Sequence, residues 1–244
     1  MINESYLFYL LIPFVAFFYS TVGHGGASGY LALMALFSYP SVMMKQTALL
    51  LNLFVAGIAF YQYFKAGHFN KRLFLYFALG SIPAAFIGGI LSLDPSLYNK
   101  FLGVILFFAI ARMLFKKETS NLKTKKIPVL IALLVGVIIG FFSGLIGIGG
   151  GIILTPVILL FHWGKMKEAA AVSALFIWVN SASGFLGQLV SGINFNTNTF
   201  ILVSLAFVGG FLGSYYGSQK WKNRRLEYFL ALVLASAGIK LILL

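Results

Sequence analysis

A glycine-dense, uncharged stretch interrupts an otherwise continuous apolar run and limits what this chain can fold into. The run extends from about residue 127 to 161, and Gly147, Gly149, Gly150 and Gly151 lie inside it. Each glycine costs a helix about 1 kcal/mol relative to alanine, so the stretch predicts a broken helix with exposed backbone. Unpaired backbone cannot face lipid, and in transporters such breaks line substrate sites.

Composition assigns the chain to a membrane. Hydrophobic residues make up 60% and charged residues 9% of the 244 residues, whereas soluble domains carry roughly 25% charged residues. Apolar windows of about 20 residues, the length that spans a bilayer, recur throughout. We predict an all-α integral membrane protein with a single transmembrane domain over residues 1–244, multi-pass in a bacterial cytoplasmic membrane. The first apolar segment is interpreted as structure and not as a cleaved signal.

The apolar segments fall into two similar halves, repeat one (1–115) and repeat two (127–244), joined by a basic linker (116–126). Each half has a broken pair (6–22 with 30–37, and 127–143 with 152–161) followed by three spans (46–64, 73–93 and 97–115, and 169–190, 200–218 and 226–243), about eight hydrophobic segments in all. Glycine positions and two Ala-Leu motifs recur at an offset of about 124–129 residues. The recurring pairs are Gly23 with Gly147, Gly25 with Gly149, Gly26 with Gly150, Thr47 with Ser173 and Asn52 with Asn180.

Loop charge predicts the orientation of these segments. Of the 18 basic residues, 15 lie in four clusters, at 65–72, 112–126, 165–167 and 220–225, while the loop 191–199 carries no charge. Basic clusters belong on the cytoplasmic side. All four can lie there only if each broken pair is a hairpin that begins and ends on one face, either re-entrant or as two short spans. The two halves are then inverted repeats, with both termini outside.

The two breaks are expected to meet near the membrane centre and to bind a small anion. Helix N-termini carry partial positive charge and bind anions, and glycine permits close approach of the backbone. Two other interpretations remain open: the glycines only allow tight helix crossing, and His24 is a neutral structural residue rather than one that carries a proton. The predicted substrate-binding residues are Gly23, His24, Gly25, Gly26, Thr47, Asn52, Ser143, Gly147, Gly149, Gly150, Gly151, Ser173 and Asn180.

Charge placement excludes several function classes. All five acidic residues lie at or near segment ends, and the chain has no cysteine. We therefore expect no enzymatic activity, no catalytic residues, no metal site and no cofactor. The net charge of +13 is explained by loop anchoring and not by nucleic acid. The expected function is secondary transport of a small anion through the lipid bilayer, with a proton or sodium ion as coupling partner and a homodimer as the oligomer considered.

The residues Ser143-Gly-Leu-Ile-Gly-Ile-Gly-Gly-Gly, with Pro156 after them, resemble the second-repeat signature of the TauE/SafE family of sulfite and organosulfonate exporters. The resemblance extends over the whole chain in its length, its two halves and its basic linker. It implies transport of sulfite, a sulfonate or a similar anion, with export from the cytoplasm. The alternatives are an anion channel on the same scaffold, uptake of a carboxylate or sulfonate and, ranked last, a membrane-embedded enzyme or assembly subunit.

Overall fold

The computed structural model describes residues 4–114, 124–193, 198–219 and 224–243. The linker as far as residue 123, and Lys220 and Lys222, lie outside these ranges. Within them every element is an α-helix: α1 (Glu4–Ser20), α2 (Ala27–Leu36), α3 (Ser41–Lys65), α4 (Lys71–Ile90), α5 (Pro95–Leu114), α6 (Val129–Ile146), α7 (Gly151–Leu160), α8 (Met166–Ser191), α9 (Asn198–Gln219) and α10 (Arg224–Leu243). Of these described helices, α3, α4, α6, α8 and α9 are long and apolar enough to cross a membrane. The predicted all-α membrane class is confirmed.

Most helices begin earlier than the apolar pattern predicts, α3 by five residues. α2 begins at Ala27 and not near Tyr30, and α3 begins at Ser41 and not at Gln46. The apolar windows omit these first turns because glycine, serine and lysine lower the local hydropathy, although a first turn tolerates them. The correction moves Lys45 from a turn into a helix, where its side chain is buried.

α1 and α2 form an antiparallel pair, here called the first hairpin, whose connection at residues 21–26 is the first break. Beside the break, the Ser28 hydroxyl donates to the Tyr19 hydroxyl at 2.9 Å. At the other end, the ring centroid of Phe8 lies 5.2 Å from that of Phe37. Because the helices touch at both ends, α2 runs back along α1.

α6 and α7 form the second hairpin, and residues 147–150 between them are the second break. Next to this break, a Cβ built at Gly150 would lie 2.7 Å from Ile139 Cγ2 of α6. At the open end, the N–H of Lys125 donates to the carbonyl of His162 at 2.8 Å. α7 therefore runs back along α6, as α2 does along α1.

α3 and α8 pack side by side in opposite directions. Near the start of α3, Gln46 Nε2 lies 3.5 Å from the carbonyl oxygen of Gly192, which follows α8. At the other end of the pair, Tyr63 of α3 packs with Ala170 of α8. Since α3 directly follows the first hairpin and α8 directly follows the second, the two hairpins open at opposite ends of the α3–α8 pair.

Two glycine seams hold helices at backbone contact, one between α4 and α6 and one between α1 and α9. A Cβ added at any of these glycines would press on a carbonyl oxygen of the facing helix, so only glycine allows the helices to approach so closely. The seam glycines are Gly80 and Gly88 of α4, Gly136, Gly140 and Gly144 of α6, and Gly209, Gly213 and Gly217 of α9. These glycines therefore serve close helix packing.

Candidate functional site

His24 joins the two breaks. Its side chain is 2% exposed, and Nδ1 lies 3.1 Å from the carbonyl oxygen of Val22 within the first break. Nε2 lies 3.1 Å from the carbonyl oxygen of Gly151 and 3.2 Å from Oγ1 of Thr155, both in α7. Thr155 Oγ1 is in turn 2.7 Å from Ser173 Oγ of α8. A chain of polar groups thus runs from the first break through α7 to α8.

Both ring nitrogens of His24 face carbonyl oxygens, which accept hydrogen bonds and cannot donate them. A neutral imidazole has one N–H and can donate to one of these carbonyls, whereas the imidazolium form has two and can donate to both. The Thr155 hydroxyl can also donate to Nε2, so a neutral ring that donates from Nδ1 to Val22 satisfies both nitrogens as well. A protonated His24 places a positive charge where the two breaks meet.

Asn52 of α3 and Ile177 of α8 form the walls against which both breaks rest. A Cβ built at Gly25 would lie 2.5 Å from Asn52 Oδ1 and 3.1 Å from Ile177 Cγ2. A Cβ built at Gly149 would lie 2.7 Å from Asn52 Nδ2 and 2.7 Å from Ile177 Cγ2. Asn52 Nδ2 donates to Ser181 Oγ at 3.1 Å. The two breaks are therefore in contact with the same two side chains, and neither position has room for a larger residue.

The short helices that follow the breaks begin in the same way. The N-cap of α2 is Gly26 with φ 92°, the N-cap of α7 is Gly150 with φ 79°, and neither has a side-chain cap. Positive φ favours glycine because a Cβ would strain the backbone. The first N–H groups of a helix have no intrahelical acceptor, and a side chain usually satisfies one of them. Both helices instead present uncapped N–H groups at the point where the chain is broken.

Several buried oxygens beside the breaks lack a hydrogen-bond partner among the described residues. They include Tyr30 Oη, Asn52 Oδ1 and Ser143 Oγ. A Cβ at Gly26 would lie 2.7 Å from Tyr30 Oη, so this hydroxyl adjoins the first break. The Asn52 amide can be rotated so that Ser181 donates to its oxygen and its NH₂ group turns towards the break. The Tyr30 and Ser143 hydroxyls and the Asn52 amide can thus each offer a donor to a ligand.

Four of the sequence-predicted residues lie away from the place where His24 meets α7. Gly23 packs against Ala170 of α8, and Gly147 packs against the backbone of Lys45 in α3. Thr47 is buried, and in the described part of the chain no hydrogen bond joins it to either break. Asn180 uses its Nδ2 to donate to the carbonyl of Phe176, one turn earlier in α8, at 2.7 Å. The side-chain oxygen of Asn180, which can only accept a hydrogen bond, remains unpaired.

The other predicted residues line the breaks or contact them. They are His24, Gly25, Gly26, Asn52, Ser143, Gly149, Gly150, Gly151 and Ser173.

A small, partly open cavity lies between the breaks. Its volume is about 10 Å³, room for about one water molecule. One wall is polar and the other is formed by Ile148, Ile152 and Ile177, and no acid, lysine or arginine lines it. Among the described residues no group of three potential metal-ligating side chains lies together. A ligand larger than water needs the breaks to move apart.

Sequence reasoning did not select three of the residues at this site. Thr155 was one of many polar residues within apolar segments, and only the structure distinguishes it. Ile177 cannot be recognised in a chain in which 60% of the residues are hydrophobic. Tyr30 gave a signal that could have been used, because a tyrosine four residues after Gly26 lies on the first turn of the following helix and points back to the break.

Comparison with known proteins agrees with this architecture. The chain is 36% identical to "Probable membrane transporter protein y4hK" of Sinorhizobium fredii over 233 residues, which cover 93% of this chain and 94% of that protein. It is 25% identical to "Probable membrane transporter protein YjnA" of Bacillus subtilis over 94% of this chain and 96% of that protein. It is 24% identical to "Probable membrane transporter protein YunE" of the same organism over 80% of this chain and 79% of that protein.

No solved structure matches the chain. The family model described as "Sulfite exporter TauE/SafE" matches residues 8–241. The described helices that are long enough to cross a bilayer agree with the membrane location in the names of the relatives, and this is a multi-pass membrane protein. Since the match extends over almost the full length, the chain belongs to the sulfite exporter TauE/SafE family.

Proposed function

We propose that this protein is a secondary transporter that carries a small organic or sulfur-containing anion, such as sulfite or a sulfonate, out of the cytoplasm. The anion binds between the two breaks. Uncapped N–H groups of α2 and α7, the His24 ring and the hydroxyls of Tyr30 and Ser143 surround it. The names of the relatives and of the family support transport, and the chemistry of the site supports an anion.

The observation that carries the proposal is the contact between the breaks through His24. Two helix N-termini, each with an αL glycine as its cap, begin on either side of a histidine whose two nitrogens face carbonyl oxygens. Partial positive charge from both helices then acts on one small volume, together with the charge of the His24 ring when that ring is protonated. A site lined only by neutral oxygen acceptors would favour a cation. The helix N–H groups and the hydroxyls here are hydrogen-bond donors, and they favour an anion.

The proposed architecture is a pair of inverted repeats, with residues 1–115 and 127–244 related by a two-fold axis in the membrane plane and both termini outside. Three observations support it: α3 and α8 are antiparallel, the hairpins open at opposite ends of that pair, and the glycine seams pair α4 with α6 as α9 pairs with α1. Transporters with inverted repeats hold their substrate where the broken helices meet and open to each side in turn.

The driving force is proposed to be the membrane potential, an ion gradient or the gradient of the solute itself. The sequence has no G-x-x-x-x-G-K-[ST] motif, the phosphate-binding loop of P-loop nucleotidases. An inside-negative potential favours anion efflux by about 2.3 kcal/mol per charge per 100 mV. A proton carried on His24, or a sodium ion, is the proposed coupling partner.

A carrier is favoured over an anion channel because the cavity between the breaks is too small for an anion. A cavity of about 10 Å³ has no room for an anion, so each transport cycle needs a conformational change. A channel held open would need a continuous aqueous path. Currents far above carrier turnover, recorded from purified protein in planar bilayers, would establish the channel instead.

The test is a flux assay with purified protein in liposomes. Efflux of sulfite, methanesulfonate, thiosulfate and acetate is measured with an imposed inside-negative potential, and again with the potential collapsed. We expect at least one of these anions to leave faster than from protein-free liposomes, and faster still when the potential is imposed. Absence of flux for all four, in either direction, would refute the proposed function.

A matched pair of variants ties the flux to the breaks. In Gly150→Leu, the added side chain would begin 2.7 Å from Ile139 and 2.9 Å from Phe176, so it pushes the second break out of its position against α6 and α8. In Gly192→Leu, the backbone also has positive φ, but no atom lies within 4 Å of the added Cβ. We expect Gly150→Leu to lose transport while it remains in the membrane, and Gly192→Leu to retain it. Equal flux in the two variants would place the substrate path elsewhere.

A further inference from the structure

Lys45 binds the end of another helix from inside the protein. It lies in the second turn of α3 and is 5% exposed. Its Nζ donates to the carbonyl oxygens of Gly88 at 3.2 Å, Gly89 at 3.1 Å and Leu91 at 2.9 Å, at the C-terminus of α4. Among the described residues, only carbonyl oxygens accept hydrogen bonds from this ammonium. The partial negative charge of a helix C-terminus therefore takes the place of a carboxylate.

Lys167 makes the same type of contact in the second half of the chain. It is the second residue of α8, and its Nζ donates to the carbonyl oxygens of Ser218 at 3.1 Å and Gln219 at 3.2 Å, the last residues of α9. In both halves a lysine in the first turns of the helix after the hairpin binds the C-terminus of the next helix. We call these two contacts the Lys45 clasp and the Lys167 clasp.

The backbone at or near each clasp lysine contacts one break. A Cβ at Gly147, in the second break, would lie 3.0 Å from the carbonyl oxygen of Lys45. A Cβ at Gly23, in the first break, would lie 2.5 Å from the carbonyl oxygen of Ala170, three residues after Lys167. Because α3 and α8 are antiparallel, the two clasps lie at opposite ends of the pair.

The two clasps differ in how tightly they are enclosed. Around the Lys45 clasp, Gly89 packs on the carbonyl of Gly184, Gly187 packs on the backbone of α4, and the Gln188 amide donates to the Gly89 carbonyl. The Lys167 side chain is exposed. The Lys45 end is therefore closed by backbone packing as well as by the ammonium, while hydrogen bonds of an exposed lysine close the Lys167 end.

We propose that Lys45 and Lys167 are the positioning residues of two gates, one on each side of the space between the breaks. Each lysine holds the C-terminus of α4 or α9 against the start of α3 or α8 and so keeps the break behind it shut. Release of one clasp opens the site to one side only, which is the requirement for alternating access. This inference rests on the proposed transport function, but its test does not depend on which solute is carried.

The test uses side-specific labelling of a single introduced cysteine, which is free of background because the chain contains none. Ile152→Cys places a thiol in the wall of the cavity. The protein is reconstituted in liposomes, and a membrane-impermeant thiol reagent is added from one side at a time. The variants are Lys45→Met, Lys45→Gln and Lys167→Met. Lys240→Met is the control, since Lys240 also binds a helix C-terminus, at Leu36, but contacts neither break.

We expect Lys45→Met to raise the labelling rate about tenfold from the Lys45 side alone, because hydrogen bonds from a charged group are lost. Lys167→Met should do so from the opposite side, and Lys240→Met from neither. Lys45→Gln keeps a hydrogen-bond donor, the side-chain amide, so its labelling rate should lie between those of Lys45→Met and the protein with Lys45. This graded response separates gating from misfolding. Unchanged labelling in both Lys45 variants, or an equal rise from both sides, would overturn the inference. Failure of every anion to move through the unmutated protein would instead count against the proposed function and leave the labelling result intact.

Discussion

Replacement of Gly149 by alanine tests whether the contact of the second break with Asn52 and Ile177 matters for transport. Gly149 has φ 74°, and an added Cβ would lie 2.7 Å from both Asn52 Nδ2 and Ile177 Cγ2. Gly67, in the connection between α3 and α4, has almost the same φ, 76°, but no atom within 4 Å of an added Cβ. The Gly67→Ala variant therefore has the same backbone strain without the contact.

The expected magnitudes follow from these two geometries. A left-handed backbone conformation costs a non-glycine residue about 1–2 kcal/mol, so both variants lose that much stability. Overpacking adds about 1–3 kcal/mol for Gly149→Ala alone, because Asn52 and Ile177 must shift. If the shift displaces the groups that bind the anion, an energy of about 1–3 kcal/mol corresponds to a loss of about 5- to 150-fold in affinity.

The assay combines thermal unfolding in detergent with flux in liposomes. Gly149→Ala should unfold at a lower temperature than Gly67→Ala and should transport about tenfold less or worse, whereas Gly67→Ala should stay close to the unmutated protein in flux. If Gly149→Ala transported as well as Gly67→Ala while it showed the larger loss of stability, the break would be a structural turn and not a binding element.

Three further predictions concern the site and the packing around it. His24→Ala should lower flux about tenfold, because the contact of the first break with Gly151 and Thr155 of α7 is lost; flux equal to that of the unmutated protein would contradict this. Methanesulfonate should be carried about tenfold faster than sulfate, because a single histidine cannot offset the desolvation of two charges; flux measured at equal concentrations decides the point, and equal rates would contradict it. Gly144→Leu should lower the free energy of unfolding by about 1–3 kcal/mol or more, since its Cβ would press on the Ala85 carbonyl of α4; Gly67→Leu is the control, and equal melting temperatures would show that the seam can separate.

The sequence predicted the two breaks and their meeting because both depend on features that a single chain displays. Glycine density marks a broken helix regardless of tertiary context, and loop charge limits which side each segment can end on. The contact of His24 with Gly151 agrees with that reasoning. The same reasoning treated Asn52 and Asn180 as equivalent. In the structure Asn52 touches both breaks, while Asn180 donates to its own helix.

The remaining features depend on side-chain conformation and long-range contacts. Asn180 differs from Asn52 because an amide can always reach the carbonyl four residues earlier in its own helix, and the sequence does not show which partner is chosen. The predicted span 46–64 leaves out Lys45, because a lysine lowers hydropathy. Its burial became possible only because the end of α4 supplies three carbonyl oxygens. A pattern read along one chain cannot detect a partner more than 40 residues away.

Ile177 lies against Gly25 of the first hairpin and against Gly149 and Gly151 of the second. One branched side chain therefore acts as a wedge between two elements that come from different halves of the chain. We expect that a solute which moves one hairpin must also move this side chain, and that the other hairpin then loses its contact with Ile177. The two hairpins are thus expected to move together, with no need for a distant relay.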